Sequence, residues 1–278
     1  MIANVTVSVL LENTANRAGL ATEHGLSLWI EADGTRILFD TGQSGAYLAN
    51  AAAMGIDIAR ADALVLSHGH YDHTGGLAHL PRDAWPLRVY LHPAAMMPRY
   101  HRHDPPPHTS IGMPPSSATV IEQMAERVVW TQSTMQIAED IGVTGFIHRN
   151  AAFEKPEPMF FLDPACTRHD PINDDQALWL KTKNGVVVVM GCAHSGVTNT
   201  LDHICRLPLV DRVDAVIGGL HLNAASDERI AKTADALNRR GVSLVAAGHC
   251  TGSDSRAALA RQCTARVAPL PTGRVLVP

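Results

Sequence analysis

Short runs of β-branched and aliphatic residues recur along the chain, each cut off by a turn signal, and stretches with apolar residues at helical spacing lie between several of them. Residues 2–11 and 26–31 form two such runs, and Thr35 to Phe39 a third that stops at Asp40-Thr41-Gly42. The opening third therefore predicts a meander of strands. Gly45 to Ile58 has helical spacing, and Ala63-Leu64-Val65-Leu66 reads as a buried strand that runs directly into Ser67-His68-Gly69-His70-Tyr71-Asp72-His73. Val89 to Leu91 predicts another strand. Beyond it, residues 93–117 are Pro-rich and without period, which predicts a functional loop placed to act as a lid. Leu178 to Thr182 and Gly185 to Met190 pair around Lys183-Asn184, and the second strand ends in Gly191-Cys192-Ala193-His194-Ser195-Gly196. The same ending recurs twice: Asp214 to Ile217 runs into Gly218-Gly219-Leu220-His221, and Ser243 to Ala247 into Gly248-His249-Cys250. Asp227 to Arg239 reads as an amphipathic helix, and Ser253 to Gln262 as another with Ser253 or Asp254 as its cap. No linker divides the chain, so residues 1–278 are expected to form a single domain, within which the strand–helix alternation leaves room for an ancient duplication.

Composition narrows the partners. A chain of 278 residues that is 46% hydrophobic can bury a sizeable core. Its 23 basic residues against 27 acidic ones give a net charge of −4, so no basic field exists to hold a long nucleic acid, and a nuclease is disfavoured. The N-terminal apolar run is broken by Asn, Thr and Ser and has no basic flank, which leads us to expect a cytoplasmic protein without a membrane partner. Five cysteines at irregular spacing fit reduced thiols better than a disulfide framework. Fifteen histidines against four tyrosines and five phenylalanines are the anomaly, and their clustering brings metal binding forward.

His68, His70, Asp72 and His73 place four metal-ligand side chains within six residues, and Gly69 lets the backbone approach closely. A merely solvated histidine-rich loop is the bland alternative; once buried, such a cluster would lose hydration with nothing in return. Six residues do not close a site, and His194, His221 and His249 supply further candidates, each directly after a buried strand. A sheet presents its strand ends along one rim, where loops can converge on one centre.

The HxHxDH pattern of residues 68–73 resembles the signature of the metallo-β-lactamase superfamily. Phe39-Asp40-Thr41-Gly42, the turn around His194 and Ala247-Gly248-His249 resemble its flanking motifs in order. The wording LSHGHYDHTGGL, GFIHRNAAFE, GCAHSGVTNT, IGGLHL and HCTG is similar to the subgroup related to dihydropterin-ribofuranosyl-aminobenzene-phosphate synthase. The resemblance implies an α/β fold, a four-layer αβ/βα sandwich of two mixed β-sheets with the metal site along one edge. It implies that His68, His70 and His194 bind one divalent ion and that Asp72, His73 and His249 bind a second. His221 stands where many relatives carry a bridging Asp or a Cys; ligation of one ion, a substrate contact and a structural role all stay open for it. Zinc is the first expectation, with Mn²⁺ and Fe²⁺ compatible with the same donors. An acidic residue in place of His70 would suit a diiron redox centre, so this sequence argues against one.

The implied activity is hydrolysis of a small-molecule ester by a hydroxide held at the metal pair, with Asp72 and His221 as catalytic candidates. Asp72 is expected to orient the hydroxide. Asp40 is expected either to support a metal ligand by a hydrogen bond or simply to cap its turn. A phosphoester or cyclic phosphodiester is preferred to a lactone or β-lactam, with Arg149 and His108 as anion-binding candidates and Arg99, Arg102, His92, His101 and His103 behind them. Cys192 and Cys250 adjoin the proposed ligands, as packing groups or as ligands themselves. The alternative from another class is a non-catalytic, metal-dependent ligand-binding protein of the same fold. An oligomer is compatible with either.

Overall fold

A computed structural model describes residues 1–84, 87–207 and 212–278. In chain order the strands are β1 (Val5–Leu11), β2 (Ser27–Ala32), β3 (Thr35–Phe39), β4 (Ala63–Val65), β5 (Arg88–Leu91), β6 (Tyr100–His101), β7 (Thr109–Ser110), β8 (Val128–Trp130), β9 (Met135–Ala138), β10 (Ile141–Val143), β11 (Phe160–Phe161), β12 (Ala177–Thr182), β13 (Gly185–Met190), β14 (Val213–Gly219), β15 (Leu244–Gly248), β16 (Arg266–Pro269) and β17 (Val275–Leu276). The helices are α1 (Ala46–Ala53), α2 (Tyr71–Thr74), α3 (Pro115–Gln123), α4 (Val197–Cys205), α5 (Asp227–Arg239) and α6 (Ser253–Gln262).

Two seven-stranded sheets have the orders β17-β1-β2-β3-β4-β5-β8 and β16-β15-β14-β13-β12-β10-β9. Each is antiparallel at one end and parallel at the other: β3-β4-β5-β8 in the first, β13-β14-β15-β16 in the second. The opening third is thus a meander only through β3, after which helical crossovers make the pairing parallel. The matched pattern of the two sheets agrees with the duplication that the strand–helix alternation left open.

Alternation along the strands builds the layers. Val7, Val9, Leu28, Ile30, Ile37 and Phe39 face Leu178, Leu180, Val187, Val189 and Ile217 between the sheets. The intervening Val186, Val188, Val216 and Val245 face outward against Leu201 and Ile204 of α4, Leu237 of α5 and Leu259 of α6. Trp29, Leu38 and Leu64 do the same against Tyr47 and Ala51 of α1 and Ile121 of α3. Strands buried on both faces read as unbroken apolar runs, which is why Gly185–Met190 shows no polar alternation. The result is the expected four-layer αβ/βα sandwich. Ser226 caps α5 by accepting from the Arg229 N–H, whereas α6 starts after Gly252 without a side-chain cap.

The Pro-rich segment is not a structureless loop. It holds a 3-10 turn at Pro93–Met96, strands β6 and β7, and the start of α3, and β6 pairs with both β7 and β11. Arg99, 1% exposed, anchors it: Nε donates to Asp170 at 2.7 Å and Nη2 to Asp174 at 2.5 Å. The other oxygen of Asp174 accepts from the Gly69 N–H at 2.7 Å. One buried cation therefore ties this segment to the loop carrying His68 and His70, and the segment forms a fixed wall. No helix among the described residues is long and apolar enough to cross a membrane.

Candidate metal centre

Strand-end turns bring the chemistry to one rim. β3 ends at Asp40, β4 runs through Ser67 into the His68 loop, β13 leads to His194, and β14 and β15 lead to His221 and His249. Asp40, Ala193, His221 and His249 all have left-handed backbones, with φ of 55°, 55°, 49° and 51°. Such geometry costs a non-glycine residue about 1–3 kcal/mol and clusters at functional sites. At Gly191 no side chain fits, because a Cβ would lie 2.0 Å from Ser67 Oγ.

Hydrogen bonds fix which ring nitrogens face inward. Asp40 is fully buried; Oδ1 accepts from the Ser67 N–H, and Oδ2 accepts from Ser67 Oγ and lies 2.7 Å from His73 Nδ1. Because the Ser67 proton points to Asp40, its oxygen accepts from His68 Nδ1 at 2.9 Å. His249 Nδ1 lies 3.0 Å from Asn13 Oδ1 and donates to it. In the neutral rings, the Nε2 atoms of His68, His73 and His249 carry no proton and turn toward the cavity. A supported imidazole with its other nitrogen free is the arrangement that metal sites use.

Two groups of donors result. In one, His68 Nε2 and His70 Nδ1 converge to 2.9 Å, with the His194 ring 4.7 Å from that of His68 and 4.9 Å from that of His70. In the other, His73 Nε2 and His249 Nε2 are 3.2 Å apart, and Asp72 Oδ2 lies 3.3 Å from His249 Nε2 and 3.2 Å from His24 Nε2. Burial, reinforced by neighbouring cationic groups, holds His68, His70 and His194 well below the usual histidine range, so their rings are neutral. Burial also pulls His73 down, but Asp72 and Asp40 together override it and raise it to about 9. The potential at His73 therefore demands positive charge.

These residues fit a pair of divalent cations. His70 Nε2, His221 Nδ1 and both ring nitrogens of His194 are buried without a hydrogen-bond partner, a costly state for polar atoms. Ligand atoms of His68, Cys192 and His194 lie within 4.8 Å of one another, as do those of His73, Cys192 and His249, and those of His24, Asp72 and His249. A cation in each group would satisfy lone pairs that now face one another.

His221 lies at the cavity wall, its ring 4.4 Å from that of His194, its Nε2 3.5 Å from Glu157, and its ligand atom within 4.8 Å of those of Cys192 and Cys250. Not every expected residue joins the site. Arg149 does not line the cavity: its guanidinium donates to the Ile172 carbonyl, and burial lowers its pKa. His108 is also outside, accepting from the His103 N–H within its own loop, while His101 and His103 reach the cavity instead. Arg99 is the buried anchor already described, and Arg102 sits 4.9 Å over the Phe161 ring.

The cavity of about 950 Å³ holds residues that the sequence did not single out. Arg229 and Arg256 line one side, and Glu157 pairs with Arg229 at 3.4 Å. Arg229 Nε is buried without a partner. Glu12 accepts from the His249 N–H, and His24 reaches Asp72 from an aperiodic loop. For Glu12 and Asn13 a usable signal existed, since they directly follow the first apolar run; for His24, Arg229 and Arg256 none did.

Comparison with known proteins agrees with this architecture. Residues 21–148 match the model of the metallo-beta-lactamase superfamily. A 7,8-dihydropterin-6-methyl-4-(β-D-ribofuranosyl)-aminobenzene-5'-phosphate synthase of Methanocaldococcus jannaschii is 29% identical over 262 residues, covering 90% of this chain and 89% of that protein. A solved metal-dependent hydrolase of the β-lactamase superfamily superposes with a TM-score of 0.82 and 29% identity over 98% of both chains. Zn²⁺-bound PqqB from Methylobacterium extorquens shares the fold at a TM-score of 0.56 and 15% identity, over 98% of this chain and 99% of that one. With its two mixed sheets, its outer helices and its histidine-rich rim, the chain has the metallo-β-lactamase fold, and its residues 21–148 are similar to that superfamily.

Proposed function

We propose that the protein is a dinuclear metal-dependent hydrolase of a small phosphorylated substrate, a phosphoester or cyclic phosphodiester. The observation that carries this reading is the convergence of two buried donor groups, one around His68, His70 and His194 and one around Asp72, His73 and His249, at the floor of an open cavity. Zinc is the favoured ion. When bound, such a pair supplies Lewis-acid stabilisation of charge on the reacting oxygens and lowers the pKa of an attacking water.

The chain's own residues then have definite tasks. Asp40 and Asn13 hold His73 and His249 in the ligating tautomer. Asp72 Oδ2, shared between His24 and His249, is the carboxylate placed to orient a nucleophile, and the wall formed by buried His194 and half-buried Phe160 limits water on the far side. Arg229 and Arg256 give the cavity the anion-binding side that Arg149 and His108 do not, which favours a phosphorylated substrate over a lactone or β-lactam. His221, between His194 and Glu157, is a substrate-facing wall residue.

The relative named as a pterin-linked phosphate synthase favours a second reading, in which the same cavity forms a phosphorylated product of that kind and does not hydrolyse an ester. Elemental analysis of the purified, reconstituted protein, with turnover of aryl phosphomonoesters, phosphodiesters and lactones, separates these. The hydrolase reading expects two metals per chain and phosphoester turnover that is lost in His70→Ala. Two metals without any ester turnover would favour the synthase reading, and a protein that takes up no metal would refute both.

A further inference from the structure

Among the described residues, Cys192 is the one that belongs to both principal donor groups: its Sγ lies with the ligand atoms of His68 and His194, within 4.8 Å of one another, and also with those of His73 and His249, likewise within 4.8 Å. It is 4% exposed, and its Sγ approaches His73 Nε2 at 3.1 Å. Its place is set by the turn after β13, where Gly191 packs against Ser67 and Asp40 and Ala193 takes a left-handed backbone. Cys250, nearby, groups with Cys192 and His221 but belongs to neither of those two groups, and its sulfur accepts from the His221 N–H at 3.3 Å and donates to the Cys192 carbonyl at 3.7 Å. His221, after β14, is turned toward Glu157 and is not in either of those two groups. Among the described residues, the atom common to both groups is a sulfur and not a carboxylate oxygen. A second, independent observation points to a ligand at the same spot, since both nitrogens of the buried His194 beside Cys192 lack any partner.

We propose that Cys192 is a shared thiolate ligand, held between the two cations of the metal centre. The proposal rests on the dinuclear reading and adds to it a sulfur donor and a metal preference. Coordination forms a metal–sulfur bond and breaks the S–H bond, and the proton leaves to solvent, so metal uptake releases one more proton per chain than nitrogen and carboxylate donors account for. A soft thiolate selects zinc, iron or cobalt over manganese and magnesium.

The test is reconstitution of the full chain with Co²⁺ and with Zn²⁺, comparing wild type, Cys192→Ser, Cys192→Ala and Cys250→Ser, with circular dichroism to confirm folding. Wild type and Cys250→Ser are expected to show the near-ultraviolet absorption of a thiolate–cobalt bond, and both Cys192 variants to lose it. Zinc affinity is expected to fall about 10-fold or more in the Cys192 variants, with manganese affinity changed far less. Two cobalt ions per chain without that absorption in wild type would overturn the thiolate while leaving the dinuclear reading intact. Absorption that survives in Cys192→Ser and vanishes in Cys250→Ser would overturn the assignment to Cys192. Failure to bind any cobalt or zinc would overturn both.

Discussion

Asp40→Asn isolates the hydrogen bond on which the second donor group depends. The aspartate accepts three hydrogen bonds, from the Ser67 N–H and Oγ–H and from His73 Nδ1, at 2.7 Å each. An asparagine of the same shape offers one acceptor oxygen and one NH₂. If the NH₂ faces Ser67 N–H, two donors meet in a fully buried pocket. If it faces His73, the imidazole must accept at Nδ1 and carry its proton on Nε2, the atom that should ligate. Either outcome weakens one site selectively, because His68 and His70 keep their geometry or lose only the indirect support through Ser67. Loss of such a support costs about 10- to 100-fold in metal affinity, roughly 1.4–2.8 kcal/mol. Competition with a chromophoric chelator should resolve two zinc ions in wild type and show the weaker-held one loosened by that factor in the variant. In the metal-free protein, at a pH above the His73 value of about 9 where the ring is neutral, ¹⁵N NMR should show His73 moving from the Nδ1–H to the Nε2–H form. Unchanged affinity at both sites together with an unchanged His73 tautomer would refute the reasoning.

Three further outcomes follow from the same geometry. Arg99→Leu leaves the Asp170 and Asp174 carboxylates buried and uncompensated, so urea unfolding of the metal-free protein should show a loss of about 3–5 kcal/mol, partly recovered by adding Asp170→Asn; a loss under about 1 kcal/mol would contradict the anchoring role. Metal-free protein should unfold on acidification: His68, His70 and His194 have depressed pKa values when folded, so the unfolded chain binds three more protons below its ordinary histidine pKa and stability falls as pH drops through about 6.5, by up to roughly 4 kcal/mol per pH unit. His73, raised to about 9, is protonated in both states in that window; its own contribution is present below about 6.5 and disappears between there and pH 9. A flat pH–stability profile from about pH 7 to 5 would be incompatible with those burial effects. Arg229→Ala should raise KM for phosphorylated substrates about 10- to 100-fold, the worth of one charge-assisted hydrogen bond, and leave KM for an uncharged ester near its wild-type value; an equal change for both would remove Arg229 from phosphate recognition.

Much of this protein is legible in its sequence alone. Periodicity places the strands around Asp40, His68, His194, His221 and His249, because a strand buried on both faces must be a short apolar run and its end must be a turn. Local spacing also determines the core of the donor set, since His68, His70, Asp72 and His73 lie too close in sequence to be separated by any fold. Beyond the reach of the sequence is everything that depends on distant segments meeting. Arg149 is a plausible anion binder by sequence, but the Ile172 carbonyl claims its guanidinium, and the Pro-rich stretch looks irregular because its pairing partner, Phe160–Phe161, belongs to a distant part of the chain. Arg229 on α5, Arg256 on α6 and His24 in an aperiodic loop carry no local signal, and their arrival in one cavity follows from how the helices stack on the second sheet and how the first loop folds over the rim. The sequence by itself determined which side chains could hold metal; the tertiary structure decided which of their atoms face one another, because hydrogen bonds from Asp40, Ser67 and Asn13 orient each ring.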